Sequence, residues 1–293
     1  MSERTFNLHA GLELDNPDLL AAKISGRGHQ GLRYERYFGQ WDANNPQNIL
    51  KENTQGKKAV PCTPLHEWLK PGSSGEPTAC TLQCGNEKLI EEYVKRRRIL
   101  VDVVDGVFLC GSLNAPLAIG LGRPHPIENG GMSWHHILGT PYLQASGLKQ
   151  IARESAESFA WANDEEKRAM LSRLFGAPKF GTGNVIVLDG LPMGPVTVGS
   201  EITNSHYKPY YEEPLTQANH VLAPGDWFAP NPVVFPVAVR GSRFCFAVLP
   251  RGPSLDIARN DAVRVACWLR EGLEILGAGA KTISAGLGRF SFS

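Results

Sequence analysis

The segment Gly277-Ala-Gly-Ala-Lys-Thr-Ile-Ser-Ala-Gly-Leu-Gly288 carries the first chemical signal in this sequence. Closely spaced glycines let a backbone approach a ligand and turn successive N–H groups toward one anion. Lys281, Thr282 and Ser284 add a cation and two hydroxyls that suit phosphate oxygens. A nucleotide-binding P-loop requires G-x-x-x-x-G-K-[ST] between a strand and a helix. Here Ala280 precedes Lys281 and the loop follows a helix, so the P-loop reading fails. The structural alternative is a helix C-cap running into a tight turn.

A second candidate lies in the stretch from Gly120 to Lys149. Lys149 and Arg153 are four apart on a helix that opens near Ser146, and they make one basic edge beside its N-terminus. Helix N-termini flanked by cations suit phosphodiesters, although a solvated helix face explains the same charges. His135 and His136 are adjacent, so in an extended chain they face opposite ways and cannot both serve one site. One is expected to be packed or hydrogen-bonded, and the other is open to a ligand. Lys95-Arg96-Arg97-Arg98 reads as favourable charge at a helix C-terminus, a phosphate contact, or both.

Cys62-x3-His66 and Cys80-x3-Cys84 bring four zinc-type ligands within a short, turn-rich stretch. Two-residue spacing within each pair is commoner for zinc, so ordinary buried thiols are the favoured reading and no cofactor is expected. Cys110, Cys245 and Cys267 sit in apolar segments and read as core. There is no G-x-S-x-G elbow and no H-E-x-x-H pair. Asp189, Asp226 and Glu128 are isolated carboxylates near turns, and Asp189-Gly190 reads as turn chemistry. No catalytic constellation emerges.

The elements that position these residues are uneven along the chain. Residues 1–85 hold clusters of turn formers, such as Asn44–Asn48 and Pro71–Pro77, and read as an irregular extension with a loop at 70–79. A small separate module is the alternative. From Asn86 the patterns sharpen, and 86–293 reads as the main body. Asn86 caps a helix with Leu89, Ile90, Tyr93 and Val94 on its apolar face, ending in Lys95–Arg98. Ile99 to Leu109 reads as a strand or hairpin about Asp105-Gly106, and 115–121 as extended. A helix opens at Ser146, with Leu148, Ile151, Ala152, Ser155 and Phe159 on one face, and Asp164 is read as the cap of another, with Glu165 and Glu166 in its first turn and Gly176 just past its end. Strands are predicted at 184–188, 233–239 and 244–249, the last two joined by the turn Arg240-Gly241-Ser242. An apolar stripe from Ala258 to Leu276 marks the longest helix, and Arg289–Phe292 alternates as a final strand. The order strand, helix, strands, helix, strand suits an α+β fold with an antiparallel sheet and helices on one face.

Composition narrows the function classes. The chain has 293 residues, 42% hydrophobic, with 30 Lys+Arg against 29 Asp+Glu for a net charge of +1. Such a balance creates no global field toward nucleic acid or membrane, so any anion-binding surface is a local patch. Gly 31 and Pro 21 make the chain loop-rich without reaching disordered composition. No apolar run reaches bilayer length and no secretory signal opens the chain, so a cytoplasmic protein with reduced thiols is expected.

Taken in order, Gly120-Leu-Gly-x-Pro-His-Pro-x-Glu-x-Gly, His135-His136, Gly139-x-Pro-Tyr-Leu, Ser146-x-Leu-Lys149 and the distal glycine-rich loop resemble the RAMP superfamily of CRISPR-associated proteins. Within it, the sequence is similar to the sixth subunits of type III-B (Cmr) effector complexes. Asn204-Ser-His-Tyr207, Tyr210-Tyr211 and Pro224-Gly-Asp-Trp227 carry the same likeness, which covers roughly residues 100–293. The resemblance implies a ferredoxin-like, RNA-recognition-like core with long insertions. It also implies a non-catalytic antiviral subunit near the 3′ end of the guide RNA, in contact with guide and target RNA and with backbone and small helical subunits. Lys149, Arg153, Lys281, Thr282, Ser284 and Arg289 would then hold RNA by its backbone, with help from His135 or His136 and with Gly277, Gly279, Gly286 and Gly288 shaping the loop. Two positions depart from the family pattern: Gln144–Gln150 replaces a more glycine-rich helix start, and Ile283 is an extra residue between Thr282 and Ser284. The alternative function is a metal-independent endoribonuclease that processes guide-RNA precursors, with His135 or His136 and Lys149 in acid–base roles.

Overall fold

A computed structural model of the chain describes residues 41–42, 45–49, 81–122, 131–159, 161–177, 181–205, 227, 231–252 and 254–292. Its elements run in order β1 (Trp41–Asp42), β2 (Asn45–Ile49), β3 (Leu82–Cys84), α1 (Glu87–Val103), β4 (Val107–Leu113), α2 (Ala145–Ser158) and α3 (Asp164–Phe175). Then come β5 (Val185–Val187), β6 (Leu191–Pro192), β7 (Val196–Ser205), β8 (Asn231–Ala238), β9 (Arg243–Pro250), α4 (Leu255–Ile275), α5 (Thr282–Ala285) and β10 (Phe290–Phe292).

The central sheet has the order β10-β4-β9-β5, every pair antiparallel, with β6 adding to β9. Traced along the chain, β4-α2-β5-β9-α4-β10 is the β-α-β-β-α-β path of a split β-α-β sheet. Alternation along β9 explains its burial. Phe244, Phe246 and Val248 face α2 and α4 and join the main core, while Cys245, Ala247 and Leu249 face the other way. Phe290 meets Phe244 and Phe246 edge-on at 5.9 and 5.3 Å between ring centroids, which locks β10 onto the sheet. Helices α2 and α4 share the core face as expected. The opposite face is covered by α1 through Ile90 and Val101, both buried, so the sheet is sandwiched where it meets that helix.

Helix α1 starts as its sequence indicates, with the Asn86 side chain accepting from the Leu89 amide at 3.1 Å. It does not stop at Lys95–Arg98, and residues 99–103 are helical rather than extended. The β-branched Ile99, Val101 and Val103 favour a strand only weakly, and burial of Val101 against Ala247 and Leu249 outweighs that preference. The helix ends where Asp105 adopts φ 53° and the Gly106 amide donates to Val101 O at 2.8 Å, a left-handed cap. The basic run is therefore mid-helix, and the reading of it as C-terminal charge is corrected.

The second expected helix begins one residue early, at Ala145. The third is capped by Asn163, not Asp164, which is its first helical residue: the Asn163 side chain accepts from the Glu166 amide at 2.8 Å, and the helix stops at Gly176 as expected. A buried carboxylate ties α3 to α4: Asp261, 3% exposed, accepts from Arg173 Nη2 at 2.8 Å and from Asn184 Nδ2 at 3.0 Å. Strands β8 and β9 are consecutive through Arg240–Ser242 but lie in different sheets. β8 pairs with β7, and β3 completes a separate three-stranded sheet in the order β3-β7-β8. The segment before residue 86 thus contributes β3 to the body, with Cys84 buried in the main core, while β1 and β2 pair with each other in a separate two-stranded sheet, so Asn45–Asn48, read as turn formers, are strand. Among the described residues no helix is long and apolar enough to cross a membrane.

Candidate nucleic-acid interface

The glycine-rich segment is a clasp between α4 and β10. Gly277, at φ 81°, ends the helix, and its amide reaches Gly272 O at 3.0 Å. The Ala280 amide donates to Ala118 O, the Gly288 amide to Pro116 O and the Ala278 amide to Gly288 O, at 2.7 to 2.8 Å. Two glycines are obligatory here. A Cβ on Gly288 would stand 1.8 Å from Ala278 O, and one on Gly279 would stand 2.2 Å from Ala118 O. These bonds have a chemical consequence. The amides of Ala278, Ala280, Ala285, Leu287 and Gly288 are satisfied by protein carbonyls, so those groups do not form an open anion nest. The turn-and-cap reading accounts for them. What the clasp presents outward is side chains: half-buried Lys281 and Thr282, and exposed Ile283 and Ser284.

Lys281 opens α5 in the left-handed region at φ 60°, and its ammonium sits 5.8 Å from the centroid of the Phe235 ring on β8. That cation–π contact steadies the side chain at the rim of the clasp.

The clasp and the start of α2 meet. They border one cleft of about 200 Å³, with Ala278 and Gly279 on one side, Gln144, Gly147 and Leu148 on another, and Gly120 and Ser133 closing it. Neither lysine lines this cleft: Lys149 follows Gly147 by two helical positions and so lies on a different side of α2, and the Lys281 ammonium lies over Phe235. Arg153 is one turn further along α2, and its Nε pairs with Glu157 at 2.9 Å, which neutralises it locally. Arg289 is exposed beside β10, and its carbonyl accepts from the Asn114 amide.

The two histidines separate as expected. His135 Nδ1 accepts from the amides of Ile137 and Leu138 at 3.3 and 3.2 Å, and its ring lies edge-on to Tyr93 and Tyr142 at 5.8 and 5.5 Å. It is the packed member and organises the turn before Gly139. His136 is exposed.

Sequence reasoning missed the residues that set the start of α2. Asp189, read as turn chemistry, reaches across 44 positions to accept from the Ala145 amide at 2.6 Å. The helix N-cap residue, Gln144, makes no side-chain cap bond, so Asp189 supplies the cap in its place. Arg97 in turn donates through Nη1 to the Asp189 carbonyl. Burial lowers the pKa of this guanidinium, while Cys245 and Asp189 favour its charge. No local signal marks this chain of contacts, because Asp189, Arg97 and Ala145 are far apart in sequence.

The cysteine readings divide. Cys84 is fully buried, and burial pushes its thiol up, which disfavours a thiolate ligand. Cys62, His66 and Cys80 lie outside the described residues, as do Asp226, Glu128 and the motif residues 206–211. Cys245 is core, but Cys267 is exposed on α4 and its core reading is corrected.

Comparison with known proteins supplies the family context. The family description "RAMP superfamily" matches residues 112–291. The CRISPR system Cmr subunit Cmr6 of Pyrococcus furiosus is 34% identical over 124 residues, covering 41% of this chain and 33% of that protein. The match therefore spans about a third of that relative's length. Among solved structures, a chain in the cryo-EM structure of the type III-B Cmr-beta complex bound to cognate target RNA aligns with a TM-score of 0.54 at 18% identity, covering 71% of this chain and 66% of that one. That likeness is one of fold. The crystal structure of Cmr6 from Pyrococcus furiosus aligns at a TM-score of 0.38 and 22% identity over 64% of this chain and 97% of that one.

Proposed function

This chain belongs to the RAMP superfamily, and from that premise we propose that it is a non-catalytic, RNA-binding scaffold subunit of a type III-B (Cmr) CRISPR effector complex. In this reading it sits near the 3′ end of the guide RNA, against guide and target strands and neighbouring backbone and small helical subunits, in the cytoplasm. The observation that carries the reading is the cleft shared by the glycine clasp and the α2 start, two segments that each carry a lysine, Lys281 and Lys149. The amides of Ala278, Ala280, Ala285, Leu287 and Gly288 are engaged by protein carbonyls, so in this reading side chains make the RNA contact: Lys281, Thr282 and Ser284 from the clasp and Lys149 from α2. Arg153, Arg289 and His136 serve at the margins, and His135 supports the turn. Such contacts grip phosphates without reading bases, which makes binding sequence-independent and salt-sensitive. A net charge of +1 also means that neighbouring subunits supply much of the basic channel.

His135 accepts from two backbone amides at Nδ1, which makes its neutral ring the Nε2–H tautomer, and the endoribonuclease alternative is tested at His136. The test is direct. Lys149→Glu with Lys281→Glu, in the full chain and in the assembled complex, weakens RNA binding and flattens its salt dependence. Unchanged affinity and unchanged assembly would remove the proposed surface. Repeat-RNA cleavage that disappears in His136→Ala would replace the scaffold with an enzyme.

A further inference from the structure

Strands β4 and β9 place Cys110 directly opposite Cys245 in the antiparallel register. The carbonyls of Arg243 and Ala247 accept from Met193 and Leu188, so these β9 residues turn their backbone groups away from β4. Cys245 lies midway between them and in phase with them. The Cys110–Cys245 pair is therefore a non-hydrogen-bonded one, the type in which Cα atoms approach to about 4.5 Å and side chains are closest. A disulfide spans Cα separations of roughly 4.4–6.8 Å, so this position lies within reach without moving either strand. Both side chains project from the same face of the sheet, toward α1. Cys110 is half-buried and Cys245 fully buried, and both thiols are free.

From this juxtaposition we infer that Cys110 and Cys245 are a cross-strand thiol pair that closes to a disulfide on meeting a low-molecular-weight disulfide. The more accessible Cys110, as its thiolate, attacks one sulfur of the small disulfide and expels one small thiolate, leaving a mixed disulfide on the protein. Cys245 then gives up its proton and attacks the Cys110 sulfur, expelling the second small thiolate. In the net exchange two protein thiols become one disulfide and one small disulfide becomes two small thiols, so electrons and protons balance. Electrostatics at the pair favour this order of attack. The Cys245 thiol is pushed up to about 11, chiefly by burial, with the Arg97 guanidinium pulling it down and the Cys110 charge pushing it up. The buried partner is thus the poorer first nucleophile and the natural resolving thiol. The pair lies under α1, beside the guanidinium that holds Asp189 at the start of α2, so the modification would be read next to the elements that frame the cleft.

The test uses the full-length protein and oxidised glutathione as the probe, followed by alkylation of remaining thiols and peptide mapping by mass spectrometry. The expected product is a peptide pair joined through Cys110 and Cys245, lighter by two hydrogens than the reduced peptides, while exposed Cys267 carries a glutathione adduct. In Cys245→Ala the reaction stops with one glutathione on Cys110. The wild-type map decides the matter even if that variant folds poorly. If Cys110 stays free, or keeps its glutathione while Cys245 remains alkylatable on unfolding, the inference is overturned.

Discussion

Replacing Asp189 separates the two things its carboxylate does at the start of α2. It caps the helix, accepting from the Ala145 amide at 2.6 Å, and it places a negative charge at the start of α2. Asp189→Asn keeps an acceptor of the same shape and removes only the charge, so folding stability falls by about 1 kcal/mol or less. Asp189→Ala removes both and strands a helix-terminal amide, costing roughly 1–3 kcal/mol. The effect on RNA runs the other way. A phosphate seated about 6 Å from the carboxylate is repelled by roughly 0.7 kcal/mol at the dielectric of water and by nearly 3 kcal/mol at an effective value of 20. Asp189→Asn therefore tightens RNA binding about threefold or more at low salt, and the gain shrinks as screening rises. Denaturant unfolding and a fluorescence-anisotropy titration at two salt concentrations measure the two effects. Weaker or unchanged RNA binding by a fully folded Asp189→Asn protein would mean that no phosphate runs past the start of α2.

Two further perturbations probe the scaffold around that site. Gly288→Ala puts a methyl group 1.8 Å from Ala278 O at a residue with φ 73°, so it opens the clasp. It costs about 3 kcal/mol or more, and an unchanged denaturant midpoint would refute the clasp geometry. Alkaline pH tests the buried thiols. Cys245 titrates near 11 when folded, above its ordinary value of 9.0, so the folded chain holds a proton that the unfolded chain loses between those values. The stability this provides is complete below pH 9 and drains away as pH rises toward 11, by up to roughly 1.4 kcal/mol per unit per thiol. Cys84 acts in the same direction. A Cys245→Ala variant with an equally steep alkaline fall would count against this cause.

The sequence by itself determined the elements whose periodicity and end signals agree. The long stripe of Ala258, Ala262, Val265, Ala266, Leu269 and Leu273 makes α4 amphipathic in any context. Asn86 and Gly176 terminate helices by local geometry alone, and alternation along Phe290–Phe292 needs only a neighbouring strand. The glycine-rich loop was legible for a similar reason, because a Cβ at Gly277, Gly279 or Gly288 would stand 1.8 to 2.9 Å from a carbonyl oxygen and only glycine fits. Tertiary structure decided the rest, wherever two local preferences were nearly equal or a partner lay far along the chain. Residues 99–103 became helix because the sheet offered Val101 a buried seat. β8 and β9 parted into two sheets because β7, absent from the sequence reading, paired with β8 over its full length. The amides of Ala280 and Gly288 turned out to be engaged, since Pro116 and Ala118 run beside them and a buried amide takes the nearest carbonyl. Asp189 acquired its role only when folding carried it to Ala145. Helix and strand preferences act over a few residues, whereas a capping carboxylate from 44 positions away exists only once the sheet is assembled.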